Sequence, residues 1–399
     1  MKLLYVTKNL PFGAGEAFIF EEIKDHEANG CETWIAPVRR ARLVHNDGAK
    51  MLSRTLAPSL LGPTVLGAAF KEMIRSPRRT LGTIAAIVTQ SRPSLLPRNL
   101  AVVAKGLWLG RVARTWGFDH IHAHWAAVPA TMALIASRVS GVSFSITAHR
   151  YDIAQNNLLS LKAGHARFIR TIDAPGAREL EAFVGPEAPR PIVVYMGVEL
   201  PTARIAMRAG RLDQPRLLIG ARLIAKKGHA TLIEAIAKAR ELGCRATLEI
   251  HGEGPLQDML TDKFKAMQMG DQIVFCGVAS HDDLLEMLRS GRYDIAVLPS
   301  VTAPNADKEG IPVFLMEAMA AGVPVIATPN GGIAELVGPG EGILVPEYDA
   351  DALAAAIVRL AGDGELRETL SIKARAKIER EFSITCNAAR LRQMIGFES

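Results

Sequence analysis

Two glutamates, Glu309 and Glu317, stand with seven residues between them in the stretch SVTAPNADKEGIPVFLMEAMAAGVPVIATPNGGIAELV, residues 300–337. On a helix that separation spans roughly 12 Å. Paired glycosidase carboxylates need roughly 5 to 9.5 Å, so the two do not suit joint attack on one glycosidic bond. They suit contacts to distant parts of one long ligand, such as a sugar at one end and a ribose at the other. Gly310, Gly331 and Gly332 would let that ligand approach the main chain closely. A second group is His120, His122 and His124 in FDHIHAHW. Their alternation puts them on one face of a strand. Histidine is a common metal ligand, but no carboxylate or cysteine accompanies them in the neighbouring sequence, and no metal is expected there.

The surrounding elements place these residues. The apolar run 294–299 reads as a buried parallel strand, followed by a polar loop, 300–308. Pro312 fits the first position of a helix, and Gly322 its C-terminal cap. A helix that opens directly after a strand points free N–H groups and a positive dipole end into the crevice at the strand's carboxyl end, which suits phosphates. The chain begins the same way, with a strand at 2–7, a turn holding Gly13, Gly15 and Glu16, and a helix at 17–29. Phe18 stands where a dinucleotide fingerprint needs its third glycine, which disfavours hydride transfer. The pattern restarts with a strand at 216–222, a turn at 223–228 and a helix at 229–243. The fold class is α/β.

EGIP around Glu309, EAMAAG around Glu317 and the following GGIAEL resemble the signature of the retaining glycosyltransferases of family 4. The resemblance covers most of the chain except roughly 39–115. It implies the GT-B fold, two Rossmann-like domains facing across a cleft: an acceptor-binding domain at 1–199, a nucleotide-sugar-binding domain at 200–380, and a helix at 381–399 packing back on the first. Arg222 and Lys227 resemble the family's pair of cations that clamp the donor diphosphate. The physics agrees, since a guanidinium and an ammonium near a helix start stabilise charge growing on a leaving diphosphate. Lys226 reads as a surface cation. The resemblance puts Gly15, Gly252, Glu253, Gly254, Val278, Gly310, Ile311 and Pro312 around the donor, Glu317 on the ribose, Glu309 on the sugar hydroxyls and His124 beside the reacting sugar. The implied catalytic set is therefore His124, Arg222, Lys227 and Glu309. Glu16, His149, Arg150 and Asp152 are the implied acceptor residues. The family commonly has His-Gly-x-Asp where this chain has His149-Arg150-Tyr151-Asp152, so Arg150 adds a phosphate ligand or alters the acceptor geometry. No metal or other cofactor is implied. EAFIFE, residues 16–21, together with HIHAHWA and SITAHRYDI, resembles bacterial enzymes that build surface polysaccharide or exopolysaccharide.

At 399 residues the chain is long enough for two domains. Its four cysteines show no metal-like spacing and read as reduced thiols in a cytoplasmic protein. The start is too short and strand-like for a signal peptide, and no apolar run reaches 18 residues. Asp349-Ala-Asp351 reads as helix capping rather than a metal motif. The net charge is +6, yet residues 39–114 hold 14 Lys/Arg against 2 Asp/Glu, 14 − 2 = +12. Helices expected at 63–74, 77–90 and 95–113 mix these cations with Leu, Val and Ile, which suits an anionic membrane surface. Nucleic acid is not the expected partner, because no reading motif is present. The expectation is a retaining transferase moving a sugar from a nucleotide-sugar donor (UDP favoured, GDP next) to a hydroxyl of a saccharide or lipid-linked saccharide, peripheral at the inner face of the plasma membrane. The alternatives are a sugar-nucleotide epimerase or other GT-B enzyme, and a non-catalytic nucleotide-sugar or anionic-surface binding protein.

Overall fold

The structure, a computed structural model, describes residues 1–13, 16, 18–44, 46–303 and 307–397. The chain forms two compact units: Met1–Tyr195 with Asn387–Ser399, and Met196–Cys386.

The first unit is built on a parallel sheet of β1 (Lys2–Thr7), β2 (Glu32–Pro37), β3 (His120–His124), β4 (Ser143–Ala148), β5 (Ile169–Thr171) and β6 (Ile192–Val193), in the order β2-β1-β3-β4-β5-β6. Helices cover the sheet, so β3 is buried along its whole length although its residues alternate histidine with Ile and Ala. Between β2 and β3 the named elements are all helical, including Pro63–Arg75, Pro77–Gln90, Leu96–Leu100 and Val103–Thr115. The single helix expected at 95–113 is thus two. Glu72 is fully buried and takes a bidentate fork from Arg114 at 2.8 and 2.6 Å, which ties the outer helix Pro63–Arg75 to Val103–Thr115. The chain's last helix, Ile384–Ile395, sends Leu391 and Ile395 into a core with Leu3, Tyr5, Ile19 and Phe20.

The second unit holds β7 (Arg216–Gly220), β8 (Thr247–His251), β9 (Ile273–Gly277), β10 (Ile295–Leu298), β11 (Val325–Ala327) and β12 (Ile343–Leu344), in the order β12-β11-β10-β7-β8-β9. Every pairing in it is parallel. β10 is wholly buried. After it, the helix Val313–Ala321 opens one residue later than expected, with Pro312 as its N-cap. Gly322 closes that helix in the left-handed region. Asp349 caps the helix Ala350–Gly362, its side chain accepting from the Ala352 N–H at 2.8 Å. Two parallel six-stranded sheets clothed in helices are the α/β architecture the sequence predicts.

Candidate functional site

In the second unit the loops after β7, β10 and β11 are pressed together main chain to main chain. Gly228 has φ +69°, and a Cβ there would lie 1.8 Å from the Pro299 carbonyl oxygen. Gly331 has φ +58°, and a Cβ there would lie 1.8 Å from the Glu309 carbonyl oxygen. Only glycine fits both the conformation and the space. The loop after β8 packs beneath, with Gly252 against Ala221, Gly254 against Leu223, and the Leu223 N–H donating to the Glu253 carbonyl at 2.9 Å.

This stacking brings charge together. Lys227 Nζ lies 2.8 Å from Glu309 Oε1, and Lys226 Nζ lies 3.0 Å from Asp307 and 3.9 Å from Glu309. Lys226 is therefore part of the same cluster rather than a free surface cation. Glu309 is 6% exposed. Its N–H donates to Asn330 Oδ1 at 2.8 Å, and Asn330 Nδ2 donates to Glu347 Oε1 at 2.7 Å. Burial opposes the charge on Glu347, but hydrogen bonds from the Thr302 N–H and Asn330 hold its carboxyl below the usual range. Arg222, on the same loop after β7 as Lys227, is exposed, and its carbonyl accepts from His229 Nε2 at 3.1 Å. Burial lowers His229 to about 4, so the ring is neutral. Glu317, also 6% exposed, meets His281 Nε2 at 2.6 Å. His281 opens the helix His281–Arg289, whose N-cap Ser280 accepts from the Asp283 N–H. The sequence reading missed His281; the Ser-x-x-Asp cap before it was the available signal. Val278 is exposed, Gly310 half-buried, and Ile311 and Pro312 buried. Gly15 lies outside the described residues.

In the first unit the alternating histidines form a ladder with the next strand. Register pairs His120 with Ser143, His122 with Ser145 and His124 with Thr147. His120 contacts Ser143 Oγ at 2.8 Å and Ser145 Oγ at 2.7 Å; His122 contacts Ser145 Oγ at 2.8 Å and Thr147 Oγ1 at 2.9 Å. Burial lowers both rings to about 3. Their nitrogens are spent on hydroxyls, which leaves His122 poorly placed to ligate a metal with Glu22 and His124, although the three come within reach. Glu22 is further engaged by Arg170 and by Tyr5 Oη at 2.9 Å. His124 is fully buried, its Nε2 2.8 Å from His149 Nε2, with Phe18, Trp125 and His149 packed against its ring.

Glu16 is buried. Its carboxylate accepts from the N–H groups of Lys8, Asn9 and Leu10 at 3.1, 2.6 and 2.8 Å and from Trp125 Nε1 at 2.6 Å. It holds the loop after β1 and leaves no oxygen for an acceptor. Trp125 carries φ +92°, uncommon for a non-glycine residue, and stacks on His149 at 4.2 Å. Asp152 accepts from the Ala126 N–H at 2.9 Å, and burial raises its carboxyl to about 7. Burial lowers the neighbouring Lys162 to about 7, its ammonium donating to the carbonyls of Ala126, Ala127 and Asn157. Arg150 pairs through Nη2 with Glu179 at 2.7 Å, while its Nη1 is buried without a hydrogen bond. Beside these residues a cavity of about 330 Å³ is lined by Trp125, Val128, Tyr151 and Asp152, with the cations of Lys8 and Arg98.

The model of the family described as glycosyl transferases group 1 matches residues 207–377, within the second unit and across the Lys227, Glu309 and Glu317 cluster. The chain also resembles named proteins. The chain is 38% identical over 194 residues to an amylovoran biosynthesis glycosyltransferase of Erwinia amylovora, covering 48% of this chain and 47% of that one. It is 39% identical over 165 residues to a putative colanic acid biosynthesis glycosyltransferase of Salmonella typhimurium, covering 41% and 40%. The chain spans about half the length of the relatives it matches. An Anabaena protein solved with UDP and glucose shares the fold at TM-score 0.70 and 16% identity, over 99% of each chain. The fold is GT-B.

Proposed function

We propose that the protein is a retaining glycosyltransferase of polysaccharide biosynthesis, moving a sugar from a nucleotide diphosphate donor to a hydroxyl of a saccharide or lipid-linked saccharide. The observation that carries this reading is the Lys227–Glu309 contact at 2.8 Å, with Arg222 exposed on the same loop as Lys227. Without a donor the two charges satisfy each other. A diphosphate draws Lys227 and Arg222 to itself, and Glu309 is released to the donor-sugar hydroxyls. Both cations then stabilise charge that grows on the departing diphosphate, and that phosphate takes the acceptor's proton. Glu317, oriented by His281, binds the ribose. The relatives named for amylovoran and colanic acid biosynthesis support a polysaccharide product, and the Anabaena neighbour solved with UDP favours a UDP-sugar, with GDP next.

The cavity in the first unit suits an acceptor, since Trp125 and Tyr151 offer apolar faces to a sugar ring. No metal is required in this mechanism. Residues Leu66, Phe70, Met73 and Ile74 of the helix Pro63–Arg75 point outward, Phe70 60% and Ile74 65% exposed, among Lys71, Arg75, Arg78 and Arg79. That mixture supports docking on an anionic membrane surface. Among the described residues no helix is long and apolar enough to cross a membrane. The test is incubation with UDP- and GDP-sugars and lipid-linked saccharide, with and without EDTA. A glycosylated product with the donor's anomeric configuration is expected in both. Donor conversion without an acceptor would favour an epimerase, and an inverted product would overturn retention.

A further inference from the structure

We propose that the groove between β8, β9 and the helix His281–Arg289 is a zinc site, with Glu249, His251 and Cys276 as ligands. The groove lies at the β9 edge of the second unit's sheet, and this reading does not rest on the proposed transfer reaction. Along β8 the side chains alternate, Leu248 and Ile250 inward, Glu249 and His251 to the outer face. β9 pairs Val274 with Glu249 and Phe275 with Ile250, then skips to Gly277 opposite His251. The extra residue is Cys276. A bulge of this kind re-aims a side chain, and here it delivers the thiol beside the carboxylate and the imidazole.

The distances suit a small tetrahedral ion. His251 Nε2 is 3.6 Å from Glu249 Oε2, Cys276 Sγ is 4.0 Å from the same oxygen, and the three ligand atoms all lie within 4.8 Å of one another. Zinc bonds of about 2.0–2.3 Å place neighbouring ligand atoms roughly 3.3–3.8 Å apart, so sub-ångström to ångström closure completes the site. His251 points to the same conclusion independently. Its side chain is 9% exposed and lines the groove; Nδ1 has no hydrogen bond, and the partner of Nε2 is Glu249, at a long 3.6 Å. A buried imidazole so weakly satisfied is costly, and a metal would use one of its nitrogens.

The carboxylate is already oriented. Tyr293 Oη donates to Glu249 Oε2 at 2.6 Å and Arg292 pairs with Oε1, the kind of outer support that ligating carboxylates have. Asp283 and Glu286 on the facing helix outweigh the positive charge of Arg292 in the groove lining. Cys276 loses its thiol proton to solvent when the metal binds. A mixed carboxylate, imidazole and thiolate set favours zinc over magnesium or calcium. The fourth position opens on a cavity of about 430 Å³ and takes water or a further ligand.

The test is titration of the metal-stripped full chain with cobalt(II), followed by displacement with zinc. One cobalt per chain is expected, with a thiolate-to-cobalt charge-transfer band that zinc abolishes. Cys276→Ser should lose the band, His251→Ala should weaken zinc binding at least tenfold, and Cys386→Ser should keep both, with thermal unfolding showing each variant folded. Absence of cobalt binding, a band that survives Cys276→Ser, a band lost in Cys386→Ser, or unchanged zinc affinity in His251→Ala would each overturn the site.

Discussion

Lys227 is half-buried, 2.8 Å from the carboxylate of Glu309, and in the proposed reaction a donor diphosphate competes for it. Lys227→Ala is expected to slow transfer by about 100-fold or more, the usual scale for losing one preorganised charge at a departing group. Stability without donor should change little, because Lys226 remains 3.9 Å from Glu309. Steady-state kinetics beside thermal unfolding of the same variant checks both halves. Lys227, Glu309 and Glu317 were all legible as residue types in sequence. Their partners were not. Lys227 meets Glu309, and Glu317 meets His281, through loops that only close packing brings together. Arg150 is a similar case, since its pairing with Glu179 was not legible from sequence.

At the scale of elements, β3 and β4 are joined by more than main-chain bonds. Ser145 Oγ bridges His120 and His122. Ser145→Ala leaves two buried ring nitrogens without a partner and is expected to cost about 1–3 kcal/mol, read as a shift in the chemical denaturation midpoint. The same rings set an acid limit. Burial lowers His120, His122 and His149 to about 3, whereas an unfolded histidine titrates near 6.5. Below about pH 6.5 the unfolded chain binds protons that the folded chain refuses, so stability falls as pH drops towards 3, by up to about 1.4 kcal/mol per pH unit for each ring. Melting temperature measured from pH 7 to pH 4 should therefore decline steeply, and a flat profile would contradict the neutral ladder. The alternation of His120, His122 and His124 was visible in the sequence. The hydroxyls that satisfy it were not, because Ser143, Ser145 and Thr147 become partners only through the β3–β4 register. Strand and helix positions were mostly legible from apolar runs and caps. The break at 101–102 was not, because the helical pattern continues through it.

At the scale of the whole molecule, the two parallel six-stranded sheets follow from two rounds of the same strand–turn–helix pattern, the part of the sequence with the strongest periodicity. The basic helical region between β2 and β3 follows from composition. Its outward Leu66, Phe70 and Ile74 lead to a further expectation. The protein should sediment with vesicles containing anionic lipid, less so at high salt, and Phe70→Ser with Ile74→Ser should reduce binding without loss of fold. Equal binding to neutral vesicles, or none, would remove the membrane from the account. The most direct test of the central claim is thermal stability of the full chain with UDP, GDP, ADP and their sugar conjugates, with and without EDTA, for wild type and Glu317→Ala. A ligand at 100 times its Kd stabilises by about 2.7 kcal/mol. One nucleotide class is expected to stabilise the wild type, with EDTA making no difference, and to lose that effect in Glu317→Ala. If no diphosphate stabilises the wild type, or if Glu317→Ala responds as the wild type does, the donor site is not where Lys227, Glu309 and Glu317 place it.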